Sequence, residues 1–560
     1  MADPTHSRGP RRFDRRAMLG MLAGTGVGTP VLHRALAVQA EQSDMPTAEM
    51  VRQAEWISGI PLDDAQRESL AAPLGRLRTQ WARLREASLE YADPPALAFF
   101  ADDPALSDKD ATRALVWPGA AAERPSDDDE LAFLTVIELG GLLRNRAISS
   151  EELTRLYLAR LERYDPILRC VVSRTDERAL RQARDADREL AAGTDRGPLH
   201  GIPWGAKDLI AYPGYRTTWG AKPFQEQNLD HKATVAERLD EAGAVLVAKL
   251  TLGALAWGDE WFGGMTRNPW RPSQGSSGSS AGSAAATVAG LTGFALGSET
   301  LGSIISPCRR CGVTGLRPTF GRVSRHGCMT LAWSMDKIGP IARSARDCAI
   351  VLAAIHGRDG RDVTAVNRPL AWPEPDRRLR VGFFEGSDDD ATRAVLDALR
   401  VRGHDLRPIT LPSDPPVSAL SFILNVEAAT VFDHFTREGI TDGLNRWPPV
   451  FQQSQFVPAV EYLRANRFRT RLMRAMARLF EDIDAYVGGD DLLITNLTGH
   501  PTVVFPAAIA ERDGVSQPVC AKITGRLFAE TDILFLADQF QQSTDFHRRR
   551  PELRAEGANR

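Results

Sequence analysis

The sequence lacks any apolar run of the roughly 20 residues that a bilayer-spanning helix requires, so no transmembrane helix is expected anywhere in it. Cysteine is scarce, at six in 560 residues, which excludes a disulfide scaffold for a chain this long. Cys308-Arg-Arg-Cys311 has the spacing of a zinc or redox half-site, but no second Cys pair or His pair completes four ligands. No metal is therefore expected, and the cysteines read as buried thiols, with an oxidised Cys308–Cys311 pair as the alternative. Neither sign of charge dominates, since 69 Lys and Arg stand against 72 Asp and Glu. Aromatic-interleaved basic patches and finger spacings are missing too, so no nucleic-acid partner is expected.

What is present is a soluble globular composition, 43% hydrophobic and 25% charged, on a chain long enough for a large catalytic domain and an appended segment. Residues 1–40 read as a signal peptide. Asp14-Arg15-Arg16-Ala17-Met18-Leu19 opens a Gly-rich apolar stretch, and Ala35-Leu36-Ala37 follows as a cleavage-like site. The paired arginines are of the twin-arginine type, so export to a periplasm is expected, with no stable membrane anchor after cleavage. Residues 41–130 read as a helical extension and linker. Leu70, Leu74, Leu77, Trp81 and Leu84 recur at helical steps, Pro73 and Gly75 should interrupt them, and residues 93–130 are rich in Asp, Pro and Ala. From residue 131 to 551, capped helices such as the one after Ser149-Ser150-Glu151-Glu152 alternate with short apolar runs such as Val245–Lys249 and Leu379–Phe384. That alternation predicts an α/β catalytic domain with a mostly buried sheet between helices, followed by a tail over residues 552–560.

Three segments carry residues that a core does not need. Gly201-Ile-Pro-Trp-Gly-Ala-Lys207-Asp208 sets a lysine directly after small residues. Gly275-Ser-Ser-Gly-Ser-Ser-Ala-Gly-Ser283 lacks the Lys-Ser/Thr ending of a phosphate loop. It formally contains GxSxG, but a Pro-rich turn precedes it where a nucleophile elbow needs a strand. The third is Gly297-Ser-Glu-Thr-Leu-Gly-Ser303-Ile-Ile-Ser-Pro307, running on to Cys311-Gly-Val-Thr-Gly-Leu-Arg-Pro-Thr319.

Taken in order, these segments resemble the amidase signature family. Asn268-Pro-Trp270, Gly321-Arg-Val-Ser324, Asp336-Lys-Ile-Gly-Pro-Ile-Ala-Arg343, Thr495-Asn-Leu-Thr-Gly-His-Pro501 and His547-Arg-Arg-Arg-Pro551 extend the likeness over roughly residues 130 to 551. The resemblance implies the amidase signature fold and a Ser-Ser-Lys triad: Ser303 as nucleophile, Ser279 as the bridging serine after a cis peptide bond, and Lys207 as base. Register within the serine run rests on Gly282-Ser283-Ala284, which selects Ser279-Ser280 over Ser276-Ser277. The chemistry is coherent with the residues. A serine hydroxyl needs a proton acceptor, none of the ten histidines lies in the three segments, and a buried lysine can be neutral enough to serve. Backbone N–H groups of Thr300, Leu301, Gly302 and Ser303 are the oxyanion-hole candidates. No cofactor is required.

Two positions depart from the family pattern. Leu301 stands where Gly is usual, and Ile305 where Arg is common, with Arg309 or Arg310 as candidate substitutes for the lost charge. Trp257, Trp261 and Phe262 are candidate substrate-binding residues for an apolar group, and Arg464, Arg467 and Arg469 are candidates for a carboxylate. The expected activity is amidohydrolysis of a small-molecule or peptide amide, in a monomer or a homo-oligomer. The alternatives are the glutaminase-type subunit of a tRNA-dependent amidotransferase, or an exported binding protein that keeps the fold without catalysis.

Overall fold

The computed structural model describes residues 45–58, 62–85, 97–101, 123–386, 389–414, 416–512 and 514–553, so the expected signal peptide lies outside the described residues. The chain divides into an N-terminal unit ending at Glu90 and a larger unit beginning at Tyr91. In the N-terminal unit, helices Ala48–Ser58 and Asp64–Arg85 are joined by a forked ion pair from Arg67 to Glu55, Nε to Oε1 at 2.5 Å and Nη2 to Oε2 at 3.0 Å. The second helix runs through Pro73 and Gly75, where a break is expected; a proline here removes one intrahelical hydrogen bond and the helix continues regardless.

The larger unit is built on one mixed sheet of eleven strands. In chain order these are β1 (Val171–Arg174), β2 (Pro203–Lys207), β3 (Val245–Leu250), β4 (Phe294–Glu299), β5 (Thr314–Arg317) and β6 (Lys337–Ala342). They continue with β7 (Arg380–Phe383), β8 (Asp405–Pro408), β9 (Ala485–Val487), β10 (Thr502–Arg512) and β11 (Val515–Gly525). The spatial order is β1-β3-β2-β4-β6-β5-β10-β11-β9-β7-β8. β3, β2 and β4 run parallel to one another, the middle of the sheet is antiparallel, and β9, β7 and β8 are again parallel. Every residue of β2, β3, β4 and β6 is buried, as expected of strands covered by helices on both faces. The fold class read from the sequence is the one observed.

Local chemistry explains the flanking helices. Ser149 caps Ser150–Leu168 by accepting from the Glu152 N–H, and the helix buries Leu153, Tyr157, Leu161, Tyr164 and Leu168 at steps of three and four. Helix Ala281–Val288 is buried at every position, because its Ala, Gly, Ser and Thr side chains are small enough to admit neighbours on all sides.

The sheet also explains where a site forms. β2 and β4 are parallel neighbours, with Ala206 opposite Leu296, so Lys207 and Glu299 emerge together at the carboxyl ends of adjacent strands. In α/β sheets that edge is where ligands bind.

Candidate active site

Lys207, the last residue of β2, is fully buried. Its Nζ lies 2.8 Å from Ser279 Oγ, 3.0 Å from Ser280 Oγ, 2.8 Å from Ser298 Oγ and 3.3 Å from the Ser298 carbonyl. Four oxygens and no carboxylate surround the amine at contact distance. Burial lowers its pKa to about 7, against the weaker upward pull of Asp336 and Glu299. At neutral pH a large share of the Lys207 side chains is therefore uncharged.

The serine run approaches from a hairpin of Arg267–Asn268 with Arg271–Gly275. A strand thus does precede the serines, where a Pro-rich turn is expected to exclude one. It belongs to a separate two-stranded sheet, so the strand-to-helix elbow of other serine hydrolases is still not built. Ser277 turns the chain at φ 61° with its N–H held by Asp259 Oδ2 at 2.7 Å. The Gly278–Ser279 peptide is cis, as the family resemblance implies. Ser280 then fixes two partners, accepting from Ser298 N at 3.1 Å and donating its own N–H to the Ser303 carbonyl at 3.0 Å.

Ser303 is 7% exposed. Among the described residues its hydroxyl forms no hydrogen bond to Ser279; the backbone bond from Ser280 is what sets the two segments side by side. The N–H groups of Thr300, Leu301, Gly302 and Ser303 have no acceptor among the described residues, whereas those of Ile304 and Ile305 both donate to Glu299 Oε2, at 2.8 and 3.0 Å. The loop therefore presents free donors up to the serine and none beyond it. Leu301 takes an ordinary backbone angle, and the left-handed position is Gly302 at φ +81°, so the departure at 301 needs no glycine. Ile305 is buried in a small apolar cluster with Ile304, Cys308 and Val504. Arg309 and Arg310 are exposed, so neither replaces the missing charge.

That charge comes from elsewhere. Glu299 Oε1 accepts from Arg317 Nη1 and from Asn496 Nδ2, each at 2.9 Å, while Lys337 Nζ donates to Asn496 Oδ1 at 2.8 Å. Burial would raise the Glu299 pKa, but Arg317 and Lys337 hold it at about 2. Ionised Glu299 is thus a positioning group that grips the backbone just past Ser303. Glu299→Gln keeps the shape but leaves Arg317 facing a neutral amide. It should cost about 3–5 kcal/mol in urea unfolding and lower kcat more than it raises KM, with Glu299→Asp partly restoring kcat. Unchanged kcat in a folded Glu299→Gln protein would remove this role.

The remaining sequence candidates are placed less centrally. Trp257 stacks edge-on against Trp447 at 4.6 Å, and Trp261 against Phe262 at 4.7 Å; none of the three lines the cavity bounded by Ser298 and Thr300. Arg464 pairs with Glu461 on an exposed helix face, Arg467 is exposed, and Arg469 is buried and donates to Ser334 and the Leu497 carbonyl. All six cysteines are free, with Cys308 and Cys311 buried, so the oxidised pair is not formed. Among the described residues no cluster of His, Cys, Asp or Glu has a metal-binding arrangement. His326 lines the same cavity as Ser298, yet bonds to neither the lysine nor the serines. Sequence reading misses Ser280, Ser298, Glu299 and Asp336; the last accepts from Thr300 Oγ1 at 2.6 Å and from the Leu331 N–H at 2.8 Å. Tandem serines and an acidic residue beside Gly-Ser were visible signals, but nothing in the text shows which of them face Lys207.

The family model described as Amidase matches residues 152–489. The glutamyl-tRNA(Gln) amidotransferase of Roseiflexus castenholzii has an A-type subunit to which the chain is 35% identical, over 76% of its own length and 99% of that protein's. The corresponding polypeptide of Moorella thermoacetica is 34% identical, over 76% and 99%. Among solved structures, the native peptide amidase of Stenotrophomonas maltophilia superposes with a TM-score of 0.64 at 29% identity, over 73% of this chain and 96% of that one. These relatives overturn one expectation. The two amidotransferase polypeptides belong to an enzyme named for glutamyl-tRNA, which argues against the twin-arginine, periplasmic localisation, and that expectation is withdrawn. Among the described residues, no helix is long and apolar enough to cross a membrane.

Proposed function

Because this chain belongs to the amidase family, whose enzymes act on amide C–N bonds, we propose that it cleaves a carboxamide through an acyl-enzyme on Ser303, with Ser279 and Lys207 as proton relay. The neutral amine of Lys207 takes the proton of Ser279, Ser279 takes that of Ser303, and the Ser303 oxygen adds to the amide carbon. The free N–H groups of residues 300–303 receive the developing oxyanion. The relay then returns its proton to the leaving nitrogen as the C–N bond breaks. Water, or another acceptor amine, repeats the attack on the ester. The observation that carries this reading is the buried, low-pKa amine 2.8 Å from Ser279 Oγ with no carboxylate in contact. The Ser279 and Ser303 hydroxyls share no hydrogen bond among the described residues, and catalytic hydrogen bonds of this kind often form only once substrate binds.

Two settings fit this chemistry, a stand-alone hydrolase and the glutaminase-type subunit of an amidotransferase. The relatives favour the second: the glutamyl-tRNA(Gln) amidotransferase polypeptides match over 99% of their own length at 34–35% identity, against 29% for the peptide amidase. In that setting the donor is a primary carboxamide such as glutamine, and released ammonia passes to a second site on a partner.

The test has two arms. A fluorophosphonate should modify one serine, and peptide mapping should recover it at Ser303; an unlabelled protein would instead favour a binding protein without catalysis. Ammonia release should then be measured from glutamine, peptide amides, aliphatic amides and aryl amides. Turnover confined to glutamine supports the amidotransferase setting, and turnover confined to the other amides supports the hydrolase.

A further inference from the structure

A strap that includes Leu97–Ala101 belongs to the larger unit and precedes residue 152, where the family match begins. Leu97, Ala98 and Phe99 line a narrow cavity that Ser298 and Thr300 also line. Ser298 Oγ is a direct partner of Lys207, and Thr300 opens the loop of free N–H groups, so the cavity adjoins the reacting centre. Its volume is about 90 Å³, several-fold below the roughly 300–1,000 Å³ usual for small-molecule sites. The next two residues, Phe100 and Ala101, border a second, wider cleft of about 960 Å³ with Phe480 and His500.

It is anchored. The Phe99 ring sits 3.6 Å from the Arg469 guanidinium and 4.9 Å from Phe320, edge to face. Arg469 is itself fixed by Ser334 and the Leu497 carbonyl. Ala101 is buried against Gly499, where an added Cβ would stand 2.8 Å from the Ala101 Cβ. Leu97, by contrast, is 75% exposed, as is Val363 at 60%, and both line the cavity. An apolar group entering that cavity can therefore cover them.

We propose that Leu97 and Phe99 are specificity-determining residues: the strap sets the size of the apolar substituent that can flank the scissile amide. This rests on the reading of Ser303 as nucleophile, and narrows it to substrates with a small or flat apolar flank on the cavity side.

The test uses the full chain and two phosphonofluoridates, one methyl-substituted and one carrying a bulky aryl-alkyl group. In each case the Ser303 oxygen forms a bond to phosphorus, fluoride leaves, and the hydroxyl proton passes to the relay. The quantity read is the bulky-to-small ratio of labelling rates at Ser303. Phe99→Ala should raise that ratio at least about tenfold. Leu97→Ala, at an exposed position that cannot unfold the chain, should raise it about threefold, and Leu97→Trp should lower it by a similar factor. Ratios within about twofold of wild type in both Leu97 variants would overturn the proposal while leaving the nucleophile in place. No labelling by the methyl probe would remove the nucleophile, and the proposal with it.

Discussion

Ser303→Ala should abolish amide cleavage, lowering kcat by about 10⁴- to 10⁶-fold, while unfolding stability stays within about 1 kcal/mol of wild type. The loss follows from the role: without the hydroxyl no acyl-enzyme forms, and direct attack by water on an amide is slow. The stability follows from the contacts. Among the described residues the Ser303 hydroxyl has no hydrogen bond to Ser279, and the Ser303 carbonyl that holds Ser280 survives the substitution. Groups acting as one relay are not additive, so Ser303→Ala combined with a change at Lys207 should be no slower than Ser303→Ala alone. Ammonia release and thermal unfolding of the three proteins check both statements. Full activity in a folded Ser303→Ala protein would place the nucleophile elsewhere.

The proposed relay residues stood out because each sits in a short run of small residues whose order along the chain is distinctive. Helices and buried strands were legible for the usual reasons of capping and periodicity, as at Ser149 and Val245–Leu250. What the sequence hid was convergence. Ser298 matters because β4 pairs with β2 and sets its side chain against Lys207, a consequence of sheet order that no local pattern encodes. Glu299, Arg317, Lys337 and Asn496 come from four separate stretches, and the first three charges offset one another, bridged by the Asn496 amide, only once folded together. The strap escaped for another reason. Leu97–Ala101 lies in an Asp- and Pro-rich stretch that reads as linker, so no pattern there sets these side chains against the catalytic unit. The aromatic residues at 257, 261 and 262 stand outside the cavity wall, since composition gives no direction to a side chain.

Lys207→Met should lower kcat about 10⁴-fold and, at neutral pH, make the protein more stable. Activity falls because, among the described residues, no other base contacts Ser279. In the wild type, kcat/KM should rise with pH through about 7, as the amine loses its proton, and then level off. Folding lowers the lysine pKa from 10.5 to about 7, so below 7 the folded state carries the full penalty of a buried charge. Between about 7 and 10.5 that penalty shrinks as the unfolded chain comes closer to losing the same proton, and above 10.5 it is gone. At about 1.36 kcal/mol per pKa unit the penalty near pH 7 is on the order of 4 kcal/mol. Methionine removes it, but strips a partner from Ser279, Ser280 and Ser298, each a loss of about 1 kcal/mol. The net gain should be about 1–3 kcal/mol near pH 7 and should reverse to a net loss by about pH 10. Urea unfolding of both proteins across that range measures the difference directly. A difference that stays flat with pH would mean that Lys207 keeps its ordinary pKa, and an amine of ordinary pKa is too fully protonated at neutral pH to serve as the base.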